Sequence, residues 1–414
     1  MTLLRPFRAV RPPKSLALEI AAPPYDVVST EEARALASGN ARSFLHISRP
    51  EIDLPPGTDE HSEAVYAQGK RALETFLTNQ WLQADDAIGF GVYRQRMGDH
   101  VQTGVVAVAS VDGYRRGAIK KHELTRADKE DDRTRHIDVL GGNDEPVFLT
   151  YRARAAVDAI VAKVCGAAPE LEFTSADGVE HAYWRANAGA TAALEAALGQ
   201  LDALYIADGH HRSAAAARVA ALRHADGSAA PAWFLAVVFP HTEMKILPYN
   251  RLVKDLAGRD AQAFLVALGE KFEVTPDATP TPSQARDVSL YLGQRWWRLR
   301  ARPGSWAATP LGELDVTVLQ QNVLGPLLGI RDPRTDKRID FVGGIRGTAE
   351  LERRVNSGAF AAAFSMYPTT LEQLMAIADA GEIMPPKSTW FEPKLKSGLF
   401  LHLFTPEGGS TPGR

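Results

Sequence analysis

The stretch "LYIADGHHRSAAAARVAALRHA", residues 204–225, changes character at a single turn. Leu204 to Ala207 reads as a short apolar strand that ends at Asp208. Gly209 permits a tight turn, and the alanine-rich run from His210 has strong helix propensity. A strand, a turn and a helix in that order expose the first-turn N–H groups beside Asp208, His210, His211 and Arg212. A helix N-terminus favours anions, and an adjacent guanidinium can hold a phosphate or carboxylate bidentately. Asp208 can bind a divalent cation or accept a proton. The same residues also make an ordinary cap, with Asp208 closing the helix and both histidines satisfied in the core. Two histidines and an arginine packed against one aspartate favour a site over a cap.

The kind of site is narrowed by donor chemistry. Adjacent histidines rarely converge on one metal, and no HExxH motif or cysteine cluster supplies further ligands, which disfavours zinc. A magnesium ion held by Asp208 and by phosphates needs few protein ligands and fits better.

Outward from this turn, strands and helices alternate without a repeat. Upstream, "EEARALA" follows Ser29, a candidate N-cap, and "EHSEAVYAQGKRALETFLTNQWL" carries Val65, Leu73, Phe76, Leu77 and Trp81 at helical spacing. Two β-rich runs flank "MGDH", a hairpin signal, and a short extended stretch leads to Lys120. Residues 122–143 are polar and charge-dense, which reads as a loop or a short exposed helix. "PVFLTYRA" reads as a strand, and "RAAVDAIVAKVC" and "TAALEAALGQLDA" as helices. Downstream come "PAWFLAVVF" (strand), "AQAFLVALGEKF" (helix) and two strand-like runs around Gly293–Gln294. Mixed elements throughout predict an α+β chain. The expected division is a catalytic region over 1–240, a C-terminal α+β region over 241–404 and a disordered tail over 405–414.

Three further stretches collect reactive groups. "IKKHELTRADKEDDRTRH", residues 119–136, begins where a β-run ends. There Glu123, beside His122, is a candidate general base if burial lifts its pKa, and Lys120 and Arg133 are candidates to neutralise phosphate. "APPYDVVS" holds Tyr25 and Asp26 after two stiffening prolines. "MPPKSTWFEPKLKSG" sets Lys387, Ser388, Glu392 and Lys394 around Trp390 and Phe391, as a rigid loop lining a pocket would. Each also reads as a solvated loop or an edge strand. No P-loop, dinucleotide fingerprint or GxSxG elbow is present, and "DFVGGIRG" matches none of them.

Composition sets the outer bounds. The 414 residues are 45% hydrophobic and 23% charged, with a net charge of −3. That length predicts two or three domains, and that balance an ordinary globular protein. No global basic field points to nucleic acid. The single cysteine, Cys165, rules out an intramolecular disulfide, fits a reducing compartment and reads as a buried structural thiol. The N-terminus lacks the apolar core of a signal peptide, and no apolar run is long enough to span a bilayer. A cytoplasmic protein without membrane partners is expected.

Taken together, "PFRAVRP…PPYDVVS", "IKKHELT…KEDDR", "LYIADGHHRSAAA" and "MPPKSTWFEPKLKSGL" resemble, in this order, a bacterial and archaeal family filed as domain of unknown function 1015, from about Pro6 to Phe404. The "DGHHR" element also resembles the phosphate-binding motif of the ParB/sulfiredoxin-like fold, on which free-serine kinases carry a similar turn and an upstream catalytic glutamate. The resemblance implies a ParB/sulfiredoxin-like nucleotide-binding core with additional mixed α/β subdomains. It implies that Gly209, His210, His211 and Arg212 hold nucleotide phosphates, that Asp208 assists metal binding or catalysis, and that Glu123, or else Glu130, is the upstream acid. Sulfiredoxins use a cysteine in this turn, where this chain has Gly-His-His. ParB-type partition proteins add basic DNA-binding surfaces that this chain lacks.

The reaction expected is transfer of a phosphoryl group from ATP or ADP, with Mg²⁺, to a hydroxyl of a small metabolite such as serine. Glu123, Asp208 and His211 would be catalytic, and Lys120, Arg133, Gly209, His210, His211 and Arg212 would bind the nucleotide. A nucleotide-binding regulator with little turnover and a phosphoester hydrolase are the alternatives.

Overall fold

The computed structural model describes residues 2–225, 227 and 231–404, and the expected disordered tail lies outside them. The chain forms two compact units, residues 1–244 with 393–414, and residues 245–392. The run "PKLKSGLFLHLF" therefore belongs to the first unit.

The first unit is built on a mixed sheet, nine-stranded among the described residues. Its order is Ile119–Lys120, Leu204–Asp208, Val147–Tyr151, Trp233–Pro240, His100–Ser110, Gly91–Met97, Glu180–Arg185 and Leu171–Thr174, with Leu4–Arg5 also paired to His100–Ser110. The hairpin expected at "MGDH" closes with Met97 opposite His100. Val147–Tyr151 and most of Trp233–Pro240 are buried residue after residue, as strands covered on both faces must be. Helices Ala155–Cys165 and Ala188–Leu198 pack on this sheet through Val157, Leu194 and Leu198. A second core joins Ile20, Phe44, Leu73, Phe76 and Leu401. There the helix Glu63–Thr78 supplies the predicted apolar stripe. Ser29 caps Thr30–Ala37 in a reciprocal box with Glu32, worth about 1 kcal/mol.

Residues 122–143 depart from expectation. A 14-residue helix, Ala127–Leu140, occupies most of them and buries Asp132, Arg133, Thr134 and His136 along with Ile137 and Leu140. Charge density suggested solvent. The helix instead packs beside His210–Ala225, and its ions are paired inside.

The second unit has an antiparallel sheet of six strands among the described residues, ordered Phe272–Pro276, Arg295–Ala301, Asp287–Leu292, Ala362–Met366, Tyr249–Val253 and Ile339–Gly343. Gly293 and Gln294, both at φ +60°, make its predicted tight turn, the left-handed pair that suits hairpin twist. "VTVLQQNVL" is helical over Asp315–Leu319 and continues as a π turn over Gln320–Leu324. No described helix in either unit is long and apolar enough to cross a membrane.

Candidate functional site

Strand direction gathers the reactive residues of the first unit. Leu204–Asp208 runs parallel to Ile119–Lys120, with Leu204 opposite Ile119. Their carboxyl ends therefore emerge together, the edge at which parallel strands present ligand sites. His122 and Glu123 leave one strand, and Gly209 and His210 leave the other. Val147–Tyr151 runs antiparallel, with Phe148 opposite Asp208, which brings the preceding Asp144, Glu145 and Pro146 to the same edge.

The turn depends on its glycine. Gly209 sits at φ +95°, and an added Cβ would lie 3.1 Å from Arg212 Nε. Its N–H donates to Asp208 Oδ1 (3.0 Å), and its carbonyl accepts from Ser213 N–H (2.9 Å) to begin the helical ladder. The amides of His210, His211 and Arg212 precede that ladder, as first-turn donors do.

Asp208 faces two cations. Lys394 Nζ lies 3.3 Å and Arg212 Nη2 3.6 Å from its Oδ2. Burial alone would raise its pKa, but Lys394 and then Arg212 hold the carboxyl below the ordinary aspartate range. Arg212 is buried, donates to the Pro146 carbonyl and leaves Nε without a partner. Lys394 is placed by a buried amide network. Gln102 donates to Gln95 (3.0 Å) and to the Pro393 carbonyl (3.2 Å), and Gln95 donates to the Lys394 carbonyl (2.8 Å).

The two adjacent histidines diverge. His211 Nε2 accepts from the Arg126 N–H (3.1 Å), which leaves Nδ1 as the protonated nitrogen of the neutral ring. His210 is buried and turns the other way. Its Nδ1 lies 3.8 Å from Glu123 Oε2, and its Nε2 is a long 3.5 Å from the His122 N–H. Its ring meets that of His122 edge to face, 4.5 Å between centroids. Burial lowers the pKa of His122 to about 4 and that of His210 well below the usual value, so both rings are neutral at pH 7. The Ile206 backbone and the Asp208 charge oppose the shift of His122 only in part. Neither ring nitrogen of His122 makes a well-formed hydrogen bond, a cost of about 1–3 kcal/mol for a buried polar group. Glu123 is less enclosed than expected. Its side chain keeps 42% exposure.

A small cavity beside the turn is lined by Arg133, Asn143, Asp144, Glu145 and Arg212. Arg133 pairs with Asp132 (2.8 Å) and lies over the Tyr25 ring at 4.0 Å. His136 Nε2 is 3.0 Å from Asp144 Oδ2. Glu145 Oε1 accepts from the Tyr25 N–H (3.0 Å) and the Ser397 hydroxyl (2.5 Å), tying three distant segments together. Burial, relieved in part by Arg212, pushes its carboxyl up to about 7.

The expected site residues divide accordingly. Glu123, Asp208, Gly209, His210, His211 and Arg212 share the strand edge, and Arg133 reaches the adjoining cavity. Lys120 is a strand residue opposite Tyr205. Glu130 accepts from Thr125 (2.8 Å), pairs with Arg218 (3.3 Å) and acts on the His211 ring through its charge. Cys165 is half-buried at a helix end, and burial raises its thiol pKa, which opposes a nucleophilic role. Asp144, Glu145 and Ser397 were not singled out by sequence. The acidic pair before Pro146, directly ahead of a strand, was the available signal.

Among solved structures, the chain is similar to SbnI with a C-terminal truncation from Staphylococcus aureus, at 13% identity and a TM-score of 0.39 over 72% of this chain and 87% of that one. It is similar to a free serine kinase variant in complex with AMP, at 15% identity and a TM-score of 0.37 over 71% and 92%. It is also similar to a conserved hypothetical protein from Pyrococcus furiosus, at 16% identity and a TM-score of 0.34 over 72% and 95%. No curated protein matches significantly. One family model matches residues 4–317, which takes in three of the four signature stretches and stops short of "MPPKSTWFEPKLKSGL". The chain belongs to the family described as Protein of unknown function (DUF1015).

Proposed function

We propose that the first unit is a small-molecule kinase, built on a ParB/sulfiredoxin-like core, that moves a phosphoryl group from ATP or ADP to a hydroxyl. The observation that carries this reading is the convergence of Glu123, Asp208, Lys394 and Arg212 on one strand edge at the start of a helix. Phosphoryl transfer asks mainly for positioning and charge neutralisation. The amides of His210, His211 and Arg212, with the Arg212 and Lys394 cations, supply a cradle for phosphate. His211, as an Nδ1 donor, and Arg133, from the cavity side, extend it, and Lys120 enters from the neighbouring strand. Glu123 receives the proton of the acceptor hydroxyl. Serine is the acceptor to try first, because the DGHHR turn resembles that of free-serine kinases.

Asp208 fixes the two cations that face it. A Mg²⁺ would neutralise phosphate charge, and Asp208, whose Oδ1 takes the Gly209 N–H and whose Oδ2 faces Lys394 and Arg212, is the carboxylate that would hold it.

The test is incubation with ATP or ADP, Mg²⁺ and a panel of hydroxyl compounds including serine. A phosphorylated acceptor is expected. Phosphate release without an acceptor product would indicate a hydrolase, and tight nucleotide binding without turnover a regulator. Absence of nucleotide binding, with Asp208→Ala changing nothing, overturns the reading.

A further inference from the structure

Phosphotransfer uses the backbone of His210 and the carboxylate of Glu123, and it leaves two buried imidazoles without a task. His122 is 2% and His210 4% exposed, and one ligand atom from each, with one from Glu123, lie within 4.8 Å of one another. Among the described residues this is the group of histidines and acids close enough to share an ion. The His122 ring supplies a second, independent pointer, since both its nitrogens are buried and neither makes a well-formed hydrogen bond.

We infer that His122, Glu123 and His210 hold a divalent first-row transition-metal ion, zinc being the type. Two neutral imidazoles and one carboxylate are the donors such ions take, whereas Mg²⁺ prefers oxygen alone. Three protein ligands leave a further position open, and the part-exposed Glu123 carboxylate gives the ion its way in. Ligands at about 2.0–2.2 Å from an ion stand no more than about 4 Å apart, so binding draws the widest spacing in by about an ångström. At His210 the ion replaces the Nδ1 proton facing Glu123. The ring then carries its proton on Nε2 and gives up the long contact with the His122 N–H. His211 stays outside, because its Nε2 is turned to Arg126. Adjacent His210 and His211 do not share the ion, and the further ligands that no HExxH motif or cysteine cluster offers come instead from His122 and Glu123. An ion here takes the carboxylate that would receive the acceptor proton, so metal and phosphotransfer at Glu123 exclude one another. The metal site stands whether or not the protein transfers phosphate.

The test titrates Co²⁺ into the full-length protein and reads visible absorption and calorimetry. One Co²⁺ per chain is expected, with the intense bands of four- or five-coordination, displaced by Zn²⁺ and unmoved by excess Mg²⁺. His122→Asn and His210→Asn should each weaken binding at least ~100-fold, the upper end of what loss of an outer-shell partner brings. Glu123→Gln, on the exposed side of the site, should weaken binding while leaving Tm unchanged, which separates ligand loss from misfolding. His211→Asn should bind Co²⁺ as the wild type does. No saturable binding, displacement by Mg²⁺, or binding unchanged in the three ligand variants overturns the site.

Discussion

The two units treat their ions in opposite ways. In the second unit, Asp287 and Arg300 are register partners on adjacent strands of one hairpin, joined by a 2.7 Å hydrogen bond. Asp315 takes the Arg286 N–H at 2.8 Å, and burial pushes its carboxyl up to about 6. The Asp287–Arg300 pair follows from strand register alone. In the first unit, Asp208 and Lys394 are 186 residues apart in sequence, and His122 and His210 are 88 apart. All eleven histidines of the chain lie in the first unit, at residues up to 241 and at 402, and none in 245–392. Histidine is the side chain whose unperturbed pKa lies nearest neutrality. The contrast separates ions paired by strand register from ions brought to one edge from distant segments.

The sharpest way to break that contrast is Glu123→Gln. Transfer should fall by about 10²–10⁴, the usual worth of a positioned base, with nucleotide affinity unchanged. A matching loss of affinity would place Glu123 among the binding groups instead. Next is a matched pair of charge deletions. Asp208→Ala removes the carboxylate that faces Lys394 and the buried Arg212, and Arg300→Met removes the cation paired with the buried Asp287. Each should cost about 3 kcal/mol in denaturant unfolding, yet only the first should abolish nucleotide binding. Equal effects on binding would erase the distinction between the units.

Gly209→Ala forces a side chain to φ +95° and against Arg212. A stability loss of roughly 1–3 kcal/mol is expected, with weaker nucleotide binding because the first-turn amides shift. The smallest effect is a pH slope. Glu145 titrates near 7 when folded against an ordinary 4.5. Between those values the folded state keeps a proton that the unfolded chain has lost, so stability from this group falls as pH rises through that window. Glu145→Gln should flatten unfolding free energy against pH there, and an unchanged slope would assign it to other groups.

Much of this was legible in the residues. "LYIAD" followed by Gly209 and an alanine run has one ready solution, and strand, turn and helix fall where propensity puts them. The hairpins at "MGDH" and Gly293–Gln294 were equally plain, because turn chemistry is local. Ala127–Leu140 was not, since its acids and bases read as a wet surface until Tyr25, Tyr66 and Asp144 supply partners from other segments. The pairing of His122 with His210 was hidden for a related reason. It depends on Ile119–Lys120 lying parallel to Leu204–Asp208, a long-range pairing that no local pattern encodes. Lys394 stood out as one lysine among several. The buried Gln95–Gln102 network holds the backbone of the one that reaches Asp208.

In the function proposed, this strand edge passes phosphate to a hydroxyl with Glu123 taking the proton. The most direct measurement is ³¹P NMR of the protein with ATP or ADP, Mg²⁺ and serine, run beside Glu123→Gln. A new phosphomonoester resonance is expected in the wild type and lost in the variant, while nucleotide still binds. A resonance of equal size in both, or none in the wild type with any acceptor of the panel, would contradict it.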